Sequence, residues 1–362
     1  MLDIRRQSAE VRTGIVGTGF IGRIHARAVR QAGARLVGVA GADRDDAIRG
    51  AEAVGAEKAF DSAEELIGSG LIDVLHVCTP NHLHAPIALK ALDAGLAVIC
   101  EKPLATDAAT AALMAERAHD TGAVAAVPFV YRFHPMVREA RARLAGLGRI
   151  SLVQGGYLQD WLLESSDDNW RIDPAKGGPG RTIGDIGSHW FDLVEFVTGD
   201  RITRVCAQTA VTVADRASGP VLTEDLATVQ FTTASGALGT VCVSQVAAGR
   251  KNRLFLEVSA ATGSLAFDQE NPEQLWLGGR SGSQALVRDP KTLSPEALRY
   301  APLPAGHPQG FHDCFNAFVD DTYAAIRGEH REGLPTFQDG ARAAHLTDAA
   351  LRSAHEGRWV PC

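Results

Sequence analysis

The chain has 362 residues, of which 45% are hydrophobic and 22% are charged, and its formal net charge is −7. This length and composition are typical of a globular protein with roughly two domains. An acidic chain without a Lys/Arg cluster is a poor candidate for binding nucleic acid or an anionic membrane surface, and no stretch reaches the ~18 apolar residues of a membrane span.

In the first third of the sequence, short apolar runs alternate with amphipathic stretches. The apolar runs predict strands at residues 11–17, 35–40, 73–77, 96–100 and 123–127. The stretches between them predict helices at residues 20–31, 43–54, 62–67, 82–94 and 107–120. Such alternation is typical of a doubly wound parallel sheet with helices on both faces, so residues 1–128 are predicted to form a Rossmann domain.

The pattern changes after residue 128. It predicts helices at residues 135–144, 183–197, 311–327 and 338–356, a strand at residues 150–157, a long irregular loop at residues 161–180, further strands within residues 201–268 and turns at residues 272–310. Residues 129–362 are therefore predicted to form a second, α+β domain. Its large, open, mainly antiparallel sheet is expected to be covered by helices on one face.

The six cysteines form no Cys-x-x-Cys pair, and most lie in apolar runs such as Val77-Cys78 and Ile99-Cys100. This pattern favours reduced, buried thiols. No apolar signal core follows Arg5-Arg6 near the N-terminus. The expected location is therefore the cytoplasm.

A glycine-rich segment, Gly17-Thr18-Gly19-Phe20-Ile21-Gly22, joins the first predicted strand to the first predicted helix. In such a turn the first glycine permits the tight bend, the second lets the backbone approach a pyrophosphate, and the third allows close packing of the helix on the strand. N–H groups at the helix start then meet the phosphates. The segment predicts dinucleotide binding.

The end of the second predicted strand leaves the choice between NAD and NADP open. An acid at this point ordinarily binds the adenosine ribose and favours NAD, but here the position holds Gly41. Asp43 could reach the ribose from a longer turn, or could simply cap the following helix. Arg44 could instead meet the 2′-phosphate of NADP.

Four further segments stand out by their residues and their places in the chain. Thr79-Pro80-Asn81-His82-Leu83-His84 and Glu101-Lys102-Pro103 follow predicted parallel strands, whose carboxyl ends bind ligands in open α/β sheets. Gly177-Gly178-Pro179-Gly180 precedes Gly184-Asp185-Ile186-Gly187-Ser188-His189, which is followed by Asp192.

With the glycine-rich turn, these segments occur in the order that characterises the Gfo/Idh/MocA oxidoreductases, and the chain resembles that family from about residue 11 to residue 192. Gly41 is the departure from its pattern. The resemblance implies an NAD(P)-dependent dehydrogenase that oxidises a secondary ring hydroxyl of a sugar, anhydrosugar or cyclitol to the ketone, with hydride passing reversibly to nicotinamide C4. It also implies a homodimer or homotetramer.

The same resemblance implies catalytic roles for Lys102, Asp185 and His189. Lys102 would lie beside the nicotinamide and the reacting hydroxyl, and His189 would accept the proton. The residues agree with this, because Asp185 and His189 are four apart on a predicted helix and share one face. A histidine suits proton transfer near neutral pH, and an ammonium can stabilise a developing alkoxide. Alternatively, Asp185 could only cap its helix and His189 could be a bonded core histidine.

The Lys102–Pro103 peptide could be cis or trans, since X-Pro bonds allow both forms. His82 and His84 suggest a metal site, but no third ligand lies near them, and contact of His84 with the cofactor is the favoured interpretation. No metal site is therefore predicted. The predicted cofactor contacts are Gly17, Gly19, Phe20, Ile21, Gly22, Gly41, Asp43, Arg44, Thr79, Pro80, Asn81, His84, Glu101 and Lys102.

The substrate is expected to lie against the loop at residues 159–181 and the segment after the last Rossmann strand. Flat aromatic rings beside Arg and carboxylates suit a pyranose or cyclitol. The two tryptophans of the loop could equally fill a domain or oligomer interface. The predicted substrate contacts are Tyr131, Arg132, Trp161, Trp170, Arg171, Asp185, His189 and Asp192.

Two alternative functions remain open at this point. One is a glycoside-cleaving relative, in which bound NAD oxidises a sugar carbon only transiently. The other is a non-catalytic dinucleotide sensor, which the presence of Lys102, Asp185 and His189 disfavours.

Overall fold

The computed structural model describes residues 10–217 and 219–362, which divide into two compact units. The first unit comprises the described residues up to Val130 together with Phe311–Ala341, and the second comprises Tyr131–Gly310 and Arg342–Cys362. The boundary predicted after residue 128 lies close to this division. Residues 1–9, for which no signal core was predicted, lie outside the described residues. Within the described ranges, no helix is long and apolar enough to cross a membrane.

The helices are α1 (Phe20–Gln31), α2 (Arg44–Val54), α3 (Ala63–Gly68), α4 (His84–Asp93), α5 (Ala108–Thr121), α6 (Pro135–Leu144), α7 (Pro174–Gly177), α8 (Ser188–Thr198), α9 (Pro295–Leu298), α10 (Phe311–Ile326) and α11 (Phe337–Glu356). The strands are β1 (Arg12–Val16), β2 (Arg35–Ala40), β3 (Lys58–Phe60), β4 (Val74–Val77), β5 (Ala97–Cys100), β6 (Ala125–Ala126), β7 (Ile150–Leu158), β8 (Ile202–Ala210), β9 (Asp215–Arg216), β10 (Gly219–Pro220), β11 (Leu226–Thr233), β12 (Leu238–Ser244), β13 (Arg253–Ala260), β14 (Ser264–Asp268), β15 (Gln274–Gly279), β16 (Gly282–Val287) and β17 (Val360–Pro361).

The first unit contains a six-stranded parallel sheet in the order β3-β2-β1-β4-β5-β6. The strand order reverses beside β1, so the sheet is doubly wound and places its switch point between β1 and β4. This confirms the predicted Rossmann fold. The sequence pattern missed β3, because three residues are too few to show a period.

Helix α10 belongs to the first unit, whereas the sequence pattern places residues 311–362 entirely in the second domain. Helix α10 packs on α1, and the Phe315 ring lies edge-on to His25 with centroids 4.7 Å apart. Tyr323 of the same helix bonds to Thr13 of β1. These contacts join segments about three hundred residues apart, which no local pattern could indicate.

The second unit contains a nine-stranded sheet in the order β16-β15-β14-β13-β7-β12-β11-β8-β17. All its pairs are antiparallel except β7 with β12, which confirms the predicted open, mainly antiparallel sheet. Apolar side chains alternate along β11 and bury one face of the sheet against helices, where Trp190 and Phe231 are fully buried. Residues 272–310, predicted as turns, include the strands β15 and β16.

Candidate active site

The glycine-rich turn joins β1 to α1 as predicted, and its geometry requires glycine at two positions. Gly17 has a φ of +109°, and a Cβ there would collide with the carbonyl oxygen of Cys78. A Cβ at Gly22 would collide with the carbonyl oxygen of Gly17. Both collisions are with backbone, which cannot rotate away, so larger residues would distort the turn.

The start of α1 has the donor set that a pyrophosphate needs. Gly19 is the N-cap of the helix and supplies no side-chain cap, and a Cβ built there would meet no heavy atom within 4 Å. The next residue, Phe20, is 76% exposed, and Ile21 is half-buried. The first N–H groups of α1 therefore face open space at the positive end of a helix, and the turn fits a dinucleotide.

The charged residues after β2 are engaged with their neighbours. Asp43 caps α2 by accepting a bond from the Asp46 N–H at 2.8 Å. Arg44 donates to Asp61 Oδ1 at 2.5 Å and to the Ala59 carbonyl oxygen at 3.2 Å. The helix-cap interpretation of Asp43 thus describes its observed bond, and the ion pair directs Arg44 toward the end of β3.

After β4, Asn81–Leu83 form a 3₁₀ turn that leads into α4, and His84 lies buried at the start of that helix. Its Nδ1 lies 2.9 Å from the Pro103 carbonyl oxygen and its Nε2 lies 2.9 Å from the Thr79 carbonyl oxygen. The ring therefore holds together the loops that follow β4 and β5. This makes His84 a positioning residue for those loops, and its contact with a cofactor stays a prediction.

The loop after β5 carries Glu101 and Lys102, and the Lys102–Pro103 peptide takes the cis form that its X-Pro bond allows. Glu101 is buried, and its Oε2 accepts the Lys102 N–H at 3.1 Å. Its Oε1 lies 3.1 Å from His25 Nε2. Although burial opposes ionisation, the bond from His25 lowers the pKa of Glu101, so a carboxylate is held directly before the lysine.

A buried chain of polar side chains continues from Glu101 into the core of the first unit. His25 Nδ1 lies 2.8 Å from His76 Nδ1, and His76 Nε2 lies 3.0 Å from the Tyr323 hydroxyl, which bonds to Thr13 Oγ1 at 2.7 Å. Burial and the neighbouring His25 lower the pKa of His76 well below its ordinary value. No sequence pattern indicates this network, because the four side chains beyond Glu101 lie on four separate elements.

In the second unit, Asp185 and His189 lie at a junction of two kinds of helix. Ile183–Gly187 form a single π-helical turn, which continues into α8. The sequence predicted an α-helix throughout, and the wider turn alters the expected stacking of residues four apart. Buried Glu224 supports the turn by accepting the N–H groups of Arg181 at 3.0 Å and Ile183 at 2.9 Å.

Asp185 and His189 are both buried and both held by neighbours. Gln245 Nε2 donates to Asp185 Oδ2 at 2.8 Å, and Arg171 Nε donates to Asp185 Oδ1 at 3.3 Å. The Tyr131 ring lies edge-on to the His189 ring with centroids 5.1 Å apart. The Asp185 carboxylate is thus oriented by two donors, of which Gln245 had no sequence signal.

The remaining predicted substrate residues divide into two groups. Arg132 and Asp192 form a buried, two-point ion pair, with Arg132 Nε donating to Asp192 Oδ2 at 2.8 Å. Trp170 begins a 3₁₀ turn, and the Arg171 guanidinium carbon lies over its ring, 4.4 Å from the centroid of that ring. Trp161 is 36% exposed. Arg171 therefore links an aromatic face to the Asp185 carboxylate.

Comparison with known proteins gives two family matches along the chain. A model described as "Oxidoreductase family, NAD-binding Rossmann fold" matches residues 11–129, and a model described as "GFO/IDH/MocA C-terminal domain" matches residues 137–266.

Individual relatives match over nearly the whole chain. The levoglucosan dehydrogenase of Pseudarthrobacter phenanthrenivorans is 29% identical, with 96% of this chain and 97% of the relative covered. The inositol 2-dehydrogenase of Rhizobium meliloti is 30% identical, with 97% and 98% covered. The solved structure of levoglucosan dehydrogenase in complex with NADH and levoglucosan is 28% identical and superposes with a TM-score of 0.91, over 98% of this chain and 99% of that one.

Proposed function

Because the chain belongs to the Gfo/Idh/MocA family of NAD-dependent oxidoreductases, whose relatives include sugar and cyclitol dehydrogenases, we propose that it oxidises a secondary ring hydroxyl of a sugar, anhydrosugar or cyclitol to the ketone. The observation that carries this proposal is the buried pair of Asp185, in the supported π-helical turn, and His189, in the helix α8 that continues it. A chain that only sensed a dinucleotide would have no need of this acid/base pair.

Bound NAD⁺ supplies the hydride acceptor of the reaction. In the proposed mechanism His189 takes the proton from the reacting hydroxyl, which suits an imidazole near neutral pH. Asp185, oriented by Gln245 and Arg171, accepts a hydrogen bond from the substrate and favours the protonated imidazole. Lys102 donates a hydrogen bond to the reacting oxygen and stabilises the negative charge that develops on it.

The second unit offers suitable contacts for a ring with several hydroxyls. Trp170 supplies a flat aromatic face, and Arg171 supplies donors beside it. C–H faces of pyranoses stack on such rings while the hydroxyls bond to charged groups. The names of the relatives support the same class, since one is a levoglucosan dehydrogenase and another an inositol 2-dehydrogenase.

The direct test mixes the protein with NAD⁺ or NADP⁺ and a panel of pyranoses, a glycoside, levoglucosan and myo-inositol, and follows the absorbance of the reduced nicotinamide. The proposal is supported if this absorbance rises with one substrate class and if the rate of the rise falls at least about 100-fold in His189→Ala. Full activity of the His189→Ala variant would show that His189 is not the proton acceptor. Consumption of a glycoside without any reduced nicotinamide would instead favour bond cleavage through transient oxidation.

We also propose that the chain forms a homodimer or homotetramer through the outer face of its large sheet. Leu152, Leu238 and Trp276 are exposed on this face, and Leu238 is 60% exposed. Light scattering on wild type and Leu238→Asp tests this, because a charge would oppose burial of the face. A wild type that remains monomeric at high concentration would contradict the proposal.

A cytoplasmic location is part of the same proposal. All six cysteines are free thiols, and Cys78, Cys100 and Cys314 are buried. Free thiols are typical of proteins from reducing compartments. Reporter fusions in the native host would check this location.

A further inference from the structure

The position after β2 that usually carries the ribose-binding acid cannot carry one in this chain. A Cβ at Gly41 would lie 2.5 Å from Asp46 Oδ2 and 2.6 Å from the Ala47 nitrogen. Both atoms belong to the first turn of α2, so the helix start occupies the space that a side chain at residue 41 would need.

The carboxylate of Asp46 fills that space instead. Its Oδ2 accepts the Thr18 hydroxyl at 2.7 Å and the Ala42 N–H at 3.0 Å. Thr18 lies inside the glycine-rich turn, and Ala42 lies just beyond the end of β2. In dinucleotide-binding folds these two segments flank the adenosine ribose.

Close packing fixes Asp46 at this place. A Cβ at Gly50, one turn further along α2, would collide with the side chain of Thr18. Helix α2 therefore lies directly against the glycine-rich turn. The hydrogen bond from Thr18, and to a smaller extent that from Ala42, lower the pKa of Asp46, so the group is an anion at neutral pH.

One oxygen of this carboxylate remains available. Within the two described ranges, Asp46 Oδ1 accepts no hydrogen bond; the Arg49 guanidinium is 3.9 Å away, and the Asp46 side chain is 31% exposed. Two cations lie nearby: Arg44 is paired with Asp61, and Arg49 is offset by the Asp46 carboxylate itself, while Asp43 and Asp45 add further negative charge. The net local charge therefore favours hydroxyls over a phosphate dianion.

We propose that Asp46 takes the role of the missing strand acid: its Oδ1 binds the adenosine ribose hydroxyls, and its charge excludes a 2′-phosphate, so that the chain selects NAD over NADP. The acid reaches the ribose from the helix instead of from the strand. This inference rests on dinucleotide binding by the first unit and is independent of the sugar substrate.

The test measures the dissociation constants of NADH and NADPH by nucleotide fluorescence, without any sugar, on the wild type and on Asp46→Asn. We expect the wild type to favour NADH by about 100-fold, and Asp46→Asn to reduce this ratio at least about 10-fold, chiefly by tighter binding of NADPH. Asparagine keeps an oxygen for Thr18 and Ala42 but removes the charge.

Asp45→Asn is the matched control, because Asp45 is an exposed carboxylate on the same turn of α2. Its ratio should stay within about twofold of wild type, since an exposed charge is screened. Asp46→Ser gives a second test if Asp46→Asn does not fold, and its ratio should fall as well.

Three results would overturn the proposal. The first is a wild type that binds NADPH as tightly as NADH, or binds neither. The second is an equal loss of affinity for NADH and NADPH in Asp46→Asn, which would mean that Asp46 only holds Thr18 in place. The third is an equal change of ratio in Asp45→Asn. A failed sugar oxidation alongside the expected affinities would refute only the proposed dehydrogenase substrate.

Discussion

The substitution Tyr323→Phe isolates one hydroxyl in the core of the first unit. The hydroxyl bonds to Thr13 Oγ1 at 2.7 Å and to His76 Nε2 at 3.0 Å, and all three side chains are fully buried. Phenylalanine keeps the ring and therefore the packing, but leaves both partners without this bond. We expect the variant to lose stability without losing its fold.

The magnitude follows from the two partners left behind. A buried polar group deprived of its partner costs about 1 to 3 kcal/mol, so the two together predict a loss of about 2 to 6 kcal/mol in the free energy of unfolding. Urea unfolding followed by circular dichroism at pH 7.5 measures this loss. Retained secondary structure before the transition would verify that the fold is intact.

A double-mutant cycle with Thr13→Val separates this bond from other effects. Because Thr13→Val removes one of the two partners, Tyr323→Phe should cost less in its presence, with a coupling of at least about 0.5 kcal/mol. A Tyr323→Phe variant whose free energy of unfolding lies within about 0.5 kcal/mol of wild type would behave like a surface substitution. That result would refute the buried network of hydrogen bonds around Tyr323.

Three further predictions test other parts of the structure. Gly17→Ala should lower both the melting temperature and the affinity for NADH, because its Cβ would collide with the backbone. Gly19→Ala, whose Cβ meets no atom within 4 Å, should weaken NADH binding at least about 10-fold and leave the melting temperature unchanged. Equal melting temperatures for the two variants would contradict this prediction. Gln245→Leu removes the 2.8 Å bond to Asp185, so kcat should fall about 10-fold and its pH profile should shift while the Kd of NADH stays constant; an unchanged profile would argue against the orienting role. The pKa of His76 is lowered in the fold, so its contribution to stability is complete above its unfolded pKa of about 6.5 and is lost by about 1.4 kcal/mol per pH unit as the pH falls below that value. The free energy of unfolding, measured with urea between pH 5 and pH 7.5, should therefore rise with pH. A free energy that does not change with pH would contradict the burial of a neutral histidine.

The parts of the fold that the sequence predicted are those encoded by contiguous residues. The glycine-rich turn and the strand–helix alternation are such local patterns, whereas the Lys102–Pro103 dipeptide only allows the cis bond that the structure contains. Contacts such as Gln245 with Asp185 leave no such pattern, because their partners lie 60 residues apart. The role of Asp46 was also hidden, since its place beside Thr18 depends on how α2 packs against the turn.

The π-helical turn at Ile183–Gly187 illustrates why the candidate site needs support that its own segment does not contain. A π turn is less favourable than the α turn that the residue spacing predicts, and such turns occur frequently at functional sites. Glu224 holds it open by bonding to two backbone N–H groups at the start of the turn. Burial raises the pKa of Glu224, which means that the fold keeps this carboxyl in an unfavourable environment. A core built for stability alone would use an apolar residue and an α turn here. The wide turn and its buried carboxyl therefore fit the proposed role of Asp185 and His189 in proton transfer.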